Sequence, residues 1–352
     1  MTQQKEWKKK RRFRQSFARF LHHVAKRTPG TACPEHPRSI AILAQEKLGD
    51  CILLTPLLGN LRKYYPNLEL HVITFSRASE QFLKHDPNIT ALHSVKHNMK
   101  GYIQKVLTRK FDILFNTKDS PSTNFLIQTT FIRATCKVGH YNEFHAGLFD
   151  QYTNIPYQSN MALKNCALLQ LLGHNLTKEA CRPKLPPMPV SEEMQHFIST
   201  MPKEHCIGLN ISAGEQNRTW PEARYRELIE LLPAKQFIIL SAPEDLEKKQ
   251  RLEQLPNVTP SPATKNLYEA GLLVAEFKLL VTPDTSLIHV ASATSTPVLG
   301  LYREAPQDIT RFGPFLVPSE LVISATGEVA GITPGKVAVH IEHLRTTVTG
   351  TP

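Results

Sequence analysis

The sequence predicts an α/β protein built of two doubly wound domains. Apolar strands alternate with helical patterns from about residue 38 onward, the signature of βαβ units on a parallel sheet. The alternation stops at Cys181-Arg182-Pro183-Lys184-Leu185-Pro186-Pro187-Met188-Pro189, where four prolines in seven positions can continue neither a helix nor a central strand. Beyond that stretch the pattern restarts. A chain of 352 residues is long for one core and suits two domains of roughly 150 residues each.

The elements read in order as follows. Strands are expected at 40–44, 70–75 and 112–116, with helices around 52–64, 78–85 and 102–109. One more helix spans 160–173 and ends at Gly173. After the proline-rich stretch, strands fall at 206–211, 236–241, 278–282 and 297–302, and helices around 221–232, 244–255 and 267–275. A final helix covers 336–344 and is a candidate to pack back on the first domain. The organisation is thus a basic arm (1–37), a first domain (38–180), a proline-rich linker (181–204) and a second domain (205–352). Two such domains place a site in the cleft between them, lined by loops after the carboxyl ends of the strands.

Composition narrows the setting. Six scattered cysteines without a CxxC pair suggest neither a disulfide framework nor a structural zinc site, as in a reducing cytosol. No apolar run approaches the ~20 residues of a membrane-spanning helix. The net charge of +11 is local, because residues 1–30 hold ten Lys/Arg against one acid, Glu6. Within this arm Phe13, Phe17, Phe20, Leu21 and Val24 share one helical face, with Trp7 just upstream and Pro29-Gly30 as a stop. Aromatics on one face and cations elsewhere describe a helix lying in a lipid headgroup layer. A packing or partner helix is the second reading and nucleic acid the third. Arg19 and His22-His23 interrupt the apolar stretch a signal peptide needs, and the two histidines are assigned to the polar face.

Three places carry candidate chemistry. The stretch Leu279-Leu280-Val281-Thr282-Pro283-Asp284-Thr285-Ser286-Leu287-Ile288-His289-Val290-Ala291 reads as a buried strand passing straight into a helix. A carboxylate and two hydroxyl residues at that junction leave helix N–H groups and the positive dipole end for a phosphate; a plain helix cap is the competing reading. The first strand leads into Lys47-Leu48-Gly49-Asp50, where Gly49 permits a tight turn and Asp50 is either an N-cap or a general base. A GxGxxG fingerprint is absent here. In the second domain Gly208–Gly214 runs into a small-residue loop carrying Arg218, two residues before Trp220-Pro221. A guanidinium there can clamp a diphosphate or simply be solvated. His289 is singled out by position, with helix packing or capping as the competing reading.

These motifs, in this order, resemble glycosyltransferase family 9, the lipopolysaccharide heptosyltransferases. The likeness spans about residues 38–345 and rests on Leu48-Gly49-Asp50 with Thr55-Pro56, on Arg218-Thr219-Trp220-Pro221, and on Pro283–Ala293. It implies a GT-B fold of two Rossmann-like domains, acceptor in the first and nucleotide-sugar donor in the second. It further implies an inverting, metal-independent transfer with no cofactor, such as heptose from ADP-heptose to a lipopolysaccharide core or related acceptor. By position Asp50 would be the base, with Lys47 and Gly49 at the acceptor turn. Arg218 would contact the diphosphate, Thr285 and Ser286 would hold phosphate, and Asp284 and His289 would shape the donor site. Three departures stand out: Arg218 for the usual lysine, Ser286 for the usual glycine, and Tyr302-Arg303-Glu304-Ala305 where Phe-Gly-x-Thr is common. Arg311-Phe312-Gly313-Pro314 returns to the pattern.

The expected partners are a nucleotide-diphosphate sugar, an anionic lipid-linked glycan, and an acidic membrane surface met by residues 1–30. The expected location is the inner face of a bacterial cytoplasmic membrane. Two other classes fit the same architecture: a nucleotide-sugar epimerase, which needs no arm, and a non-catalytic membrane-associated binder.

Overall fold

The computed structural model describes residues 2–25, 27, 30–202, 206–304 and 306–349, with side chains except at 2–8, 24, 306–308 and 348–349. The chain divides into two compact units, 1–181 and 182–352.

In the first unit six strands form one parallel sheet: β1 (Ser39–Leu43), β2 (Glu69–Thr74), β3 (Ala91–Ser94), β4 (Lys110–Asn116), β5 (Arg133–His140) and β6 (Gln151–Thr153). Their order is β3-β2-β1-β4-β5-β6, so the chain steps outward from β1 first one way and then the other. Ile40, Ala41, Ile42 and Leu43 are all buried, as a strand covered by helices on both faces requires. The helices are α1 (Thr2–Val24), α2 (Leu48–Ile52), α3 (Thr55–Tyr64), α4 (Arg77–Leu83), α5 (Met99–Tyr102), α6 (Thr123–Phe131) and α7 (Met161–Leu171). The helix expected at 52–64 is broken at Leu53-Leu54, and Pro56 sits in the first turn of α3. Gly173 closes α7 in the left-handed conformation (φ +82°).

The second unit has a five-stranded parallel sheet: β7 (Cys206–Asn210), β8 (Gln236–Leu240), β9 (Leu279–Pro283), β10 (Val298–Tyr302) and β11 (Ser319–Ile323), ordered β11-β10-β9-β7-β8. Its helices are α8 (Glu192–Thr200), α9 (Glu222–Leu231), α10 (Leu246–Leu252), α11 (Leu267–Ala275), α12 (Ser286–Thr294), α13 (Pro306–Phe312) and α14 (Pro334–Thr349). Val337, Ile341 and Leu344 of α14 belong to the core formed by β7, β9 and α9. The apolar stripe of the last helix is used within its own unit.

The proline-rich stretch is no free linker. Arg182 donates to the Ser292 carbonyl (3.1 Å), Asn266 to the Pro189 carbonyl (2.8 Å), and the Ser191 amide to Glu269 (2.8 Å). These bonds bind it to α11 and α12, and α8 follows directly.

The arm divides its apolar face. Ala18 and Leu21 of α1 are buried with Leu126, Leu148 and Phe149, and Phe17 packs beside them. Phe13 and Phe20 stay 62% and 61% exposed. Phe17, read as a lipid-facing residue, therefore serves mainly the protein interior. His22 leaves the polar face assigned to it: its Nδ1 lies 2.6 Å from the Ala146 carbonyl. A Cβ on the next residue, Gly147 (φ +75°), would fall 2.5 Å from the His22 ring, so glycine is required there. The side chain of Trp7 lies outside the described ones.

Candidate donor site and base loop

In the second unit the strand order reverses between β7 and β9, and ligands of open parallel sheets bind at that carboxyl-edge switch point. The loops leaving these two strands carry Arg218 and Asp284–Ser286. Asn210, the last residue of β7, ties them together: its Nδ2 donates to the hydroxyls of Thr282 (2.9 Å) and Thr285 (3.3 Å). Tyr225 fixes the same strand end by donating to the Asn210 carbonyl (2.8 Å). Trp220 is buried, donates to the Ile332 carbonyl (3.0 Å), and anchors the start of α9. Pro221 is the N-cap residue of that helix, one position earlier than the first turn.

Arg218 ends a single 3₁₀ turn and points its Nη1 at Asp284, 3.1 Å from a carboxylate oxygen and 3.2 Å from the backbone carbonyl. Its Nε is buried without a hydrogen bond and lies 3.6 Å from a Glu215 oxygen. Arg218 is thus no solvated loop residue. Thr285 caps α12: its hydroxyl accepts from the Leu287 amide (3.3 Å) and its carbonyl from the Ile288 amide (3.2 Å). The expectation of wholly free first-turn amides is corrected, since two of them are taken. Ser286 stands at the first helical position, half-buried, beside Asp284.

Beside the Arg218 Nε, His289 and Tyr302 also carry buried polar atoms without partners. His289 lies within α12 with its Nδ1 unbonded, and burial lowers its pKa to about 4, so the ring is neutral near pH 7. Tyr302 ends β10, whose Leu301 carbonyl accepts the Asp284 amide (3.1 Å), and its hydroxyl is also unbonded. Burial raises the Tyr302 pKa; the Asp284 charge adds to the rise and the Arg218 charge opposes it, which places the hydroxyl within reach of both fields. A buried hydroxyl without a partner costs about 1–3 kcal/mol, a cost a ligand can remove. Sequence reasoning named Tyr302 as the first residue of the departing Tyr302–Ala305 stretch but gave its hydroxyl no role. Its signal was position, one residue past the Leu301–Pro283 pair that closes the β9–β10 register.

Asp245 was passed over. It follows β8 and accepts from Ser212 (2.6 Å) and Lys248 (2.6 Å). Burial works upward on its pKa, but these bonds and the Lys248 charge outweigh it and hold the carboxyl below its ordinary value.

In the first unit β1 occupies the equivalent switch point, between β2 and β4. Lys47 is the exposed N-cap residue of α2 and makes no side-chain cap bond. Asp50 is therefore not the N-cap but a half-buried residue of the first turn. Gly49 lies inside α2 and is not among the residues at positive φ, so the turn does not depend on a left-handed glycine there. The Cys51 thiol is pushed up by burial and further by the Asp50 charge. The preceding loop is held by Gln45, which donates to the Thr117 carbonyl (3.1 Å) and accepts from Lys118 (2.8 Å). Among the described residues no group of three His, Cys, Asp or Glu could hold a metal ion.

Comparison with known proteins identifies the family. Residues 99–330 match the model of glycosyltransferase family 9 (heptosyltransferase). Lipopolysaccharide heptosyltransferase 3 of Escherichia coli is 22% identical over 273 residues, 72% of this chain and 80% of that one. The family 9 glycosyl transferase of Veillonella parvula shares the fold with a TM-score of 0.70 and 20% identity, over 90% of this chain and 100% of that one. E. coli heptosyltransferase WaaC, solved with ADP-2-deoxy-2-fluoro heptose, superposes with a TM-score of 0.63 and 16% identity, over 87% and 99% of the two chains. The match covers well over half of the chain, which makes this protein a glycosyltransferase of family 9, the heptosyltransferase family.

Proposed function

We propose that the protein transfers a heptose from ADP-heptose to a lipopolysaccharide core or a related anionic glycan, with inversion and without a metal, at the cytoplasmic face of the membrane. The observation that carries this reading is the cradle at the β7/β9 switch point, where Arg218, Asp284 and the N-terminus of α12 meet. Breaking the bond between the anomeric carbon and phosphate leaves ADP with both electrons. A guanidinium and a helix N-terminus can stabilise that charge without a cation. The fork of Arg218 would turn part of its hydrogen bonding from Asp284 to the diphosphate. The Ser286 amide would take one phosphate oxygen, and the Asp245 carboxylate after β8 would accept from ribose hydroxyls.

On the acceptor side Asp50 takes the proton of the attacking hydroxyl as the new bond to the anomeric carbon forms. Attack opposite the departing phosphate inverts that carbon. The printed names of the relatives, heptosyltransferases of lipopolysaccharide, support the choice of sugar and acceptor. The exposed basic residues of α1 support the membrane setting.

The test is calorimetry with ADP, ADP-heptose and UDP-sugars, followed by transfer to a heptose-deficient lipopolysaccharide acceptor. ADP-heptose should bind tightest and yield a product of inverted anomeric configuration. Preference for a uridine nucleotide, or donor turnover without any acceptor, overturns the assignment.

A further inference from the structure

The apolar face of α1 is not one face but two. Gln15, Phe17, Ala18, Leu21 and His22 turn toward the first unit and are buried or half-buried. Lys9, Arg12, Phe13, Ser16, Phe20 and His23 fall at i, i+3, i+4, i+7, i+11 and i+14, one continuous outward stripe, and every one of them is exposed. The helix is fastened behind this stripe. His22 bonds to Ala146, the Arg27 amide donates to the Gly147 carbonyl (2.9 Å), and the Arg27 side chain pairs with buried Asp150 (2.8 Å). An arm held at these points cannot swing as a loose tether.

We propose that α1 is a rigid docking ridge whose outward stripe seats on an anionic phospholipid surface and sets the orientation of the first unit on the bilayer. This rests on the membrane setting proposed above. Phe13 and Phe20 are seven residues apart, so their rings lie in line about 10 Å apart along the helix axis. Two rings in such a line suit a flat layer that each can enter to headgroup depth. Exposed Lys9 and Arg12 stand on the stripe and exposed Arg19 borders it, and no acid lies between Glu6 and Pro29, so the charge complement is a negatively charged surface.

The experiment uses the full chain and phospholipid vesicles with no glycan and no nucleotide, so its result is separate from the transferase assignment, which ADP-heptose binding tests. Vesicles of phosphatidylethanolamine with phosphatidylglycerol should float the protein, pure phosphatidylcholine should not, and added salt should weaken the binding. The double variant Phe13→Ser/Phe20→Ser should lose about tenfold or more in partitioning with an unchanged melting temperature. Hydrogen exchange should show the amides of residues 17–23 protected to the same degree before and after vesicle binding. Equal flotation of the double variant, or protection that arises only on binding, overturns the ridge. So does binding to RNA without binding to vesicles, or self-association that the double variant abolishes.

Discussion

The loop after β1 and the loops after β7 and β9 hold equivalent places in their sheets, each at a carboxyl edge where the strand order turns. They are built differently. Around Asp284 the side chains are locked to one another: Arg218 to Asp284, Asn210 to Thr282 and Thr285, Thr285 to the helix it caps. Around Asp50 there is a five-residue helix whose N-cap residue makes no side-chain cap bond, and Glu46 and Lys47 are exposed. On the proposed assignment, the contrast follows from what each would bind. A diphosphate brings the same charge at the same spacing in every turnover, so a cradle fixed in advance needs no reorganisation as charge develops. An acceptor hydroxyl asks for one correctly placed carboxylate, and the rest of the acceptor can be met by looser contacts.

The largest test of that division is Asp50→Asn. Removing a general base should lower turnover by about 10²–10⁴-fold while ADP-heptose affinity stays the same. Single-turnover transfer and calorimetry on one preparation decide it. A fall in donor affinity alongside turnover would mean that the two loops do not divide the work.

Arg218→Ala probes the other half. Loss of a charge-assisted contact should weaken ADP binding by about 1.5–3 kcal/mol, and the Asp284 charge, no longer offset by Arg218, would act against the ligand as well. Arg218→Lys keeps the charge without the fork and should fall between the two. Unchanged ADP affinity in the alanine variant would remove Arg218 from the cradle.

How much of this was legible beforehand divides along the same line. The strand-to-helix junction at 279–291 could be read because a buried apolar run, a proline and a cap-type triplet are all local signals. β3, β5 and β6 were missed, as was β11. β5 carries Arg133, Lys137 and Gly139 among its apolar residues, and the pairing that holds it comes from β4 and β6. α6 escaped notice because its threonines weaken helical propensity; packing of Phe125 and Leu126 decides its structure. The split of α1 was not readable either. One amphipathic stripe in sequence became two once Leu126, Leu148 and Phe149, more than a hundred residues away, claimed part of it.

A smaller effect compares the units through pH. His93 in the first unit and His289 in the second are both held near pKa 4, chiefly by burial; His71 when protonated and the cations Lys105 and Arg109 also push His93 down. A histidine with a folded pKa below its unfolded 6.5 takes up a proton more readily when unfolded. Its contribution is therefore complete above about pH 6.5 and is lost as pH falls toward 4. Each should cost roughly 1 kcal/mol by about pH 5.5. Melting curves across this range should fall, and His93→Asn and His289→Asn should each flatten part of the fall. An unaltered slope in either variant would show that the residue is not buried neutral.

The smallest and most discriminating change is Tyr302→Phe. The hydroxyl has no partner in the ligand-free protein, so deleting it should leave the melting temperature unchanged or slightly raised. If the donor supplies the missing partner beside Arg218 and Asp284, ADP-heptose affinity should fall by about fivefold, roughly 1 kcal/mol. Comparing ADP with ADP-heptose locates that partner: equal losses point to the diphosphate, a loss confined to ADP-heptose points to the sugar. A structural role predicts the opposite pairing, with stability lost and affinity kept. No loss on either ligand would leave the prearranged cradle ending at Asp284 and reduce the Tyr302 ring to packing against β10.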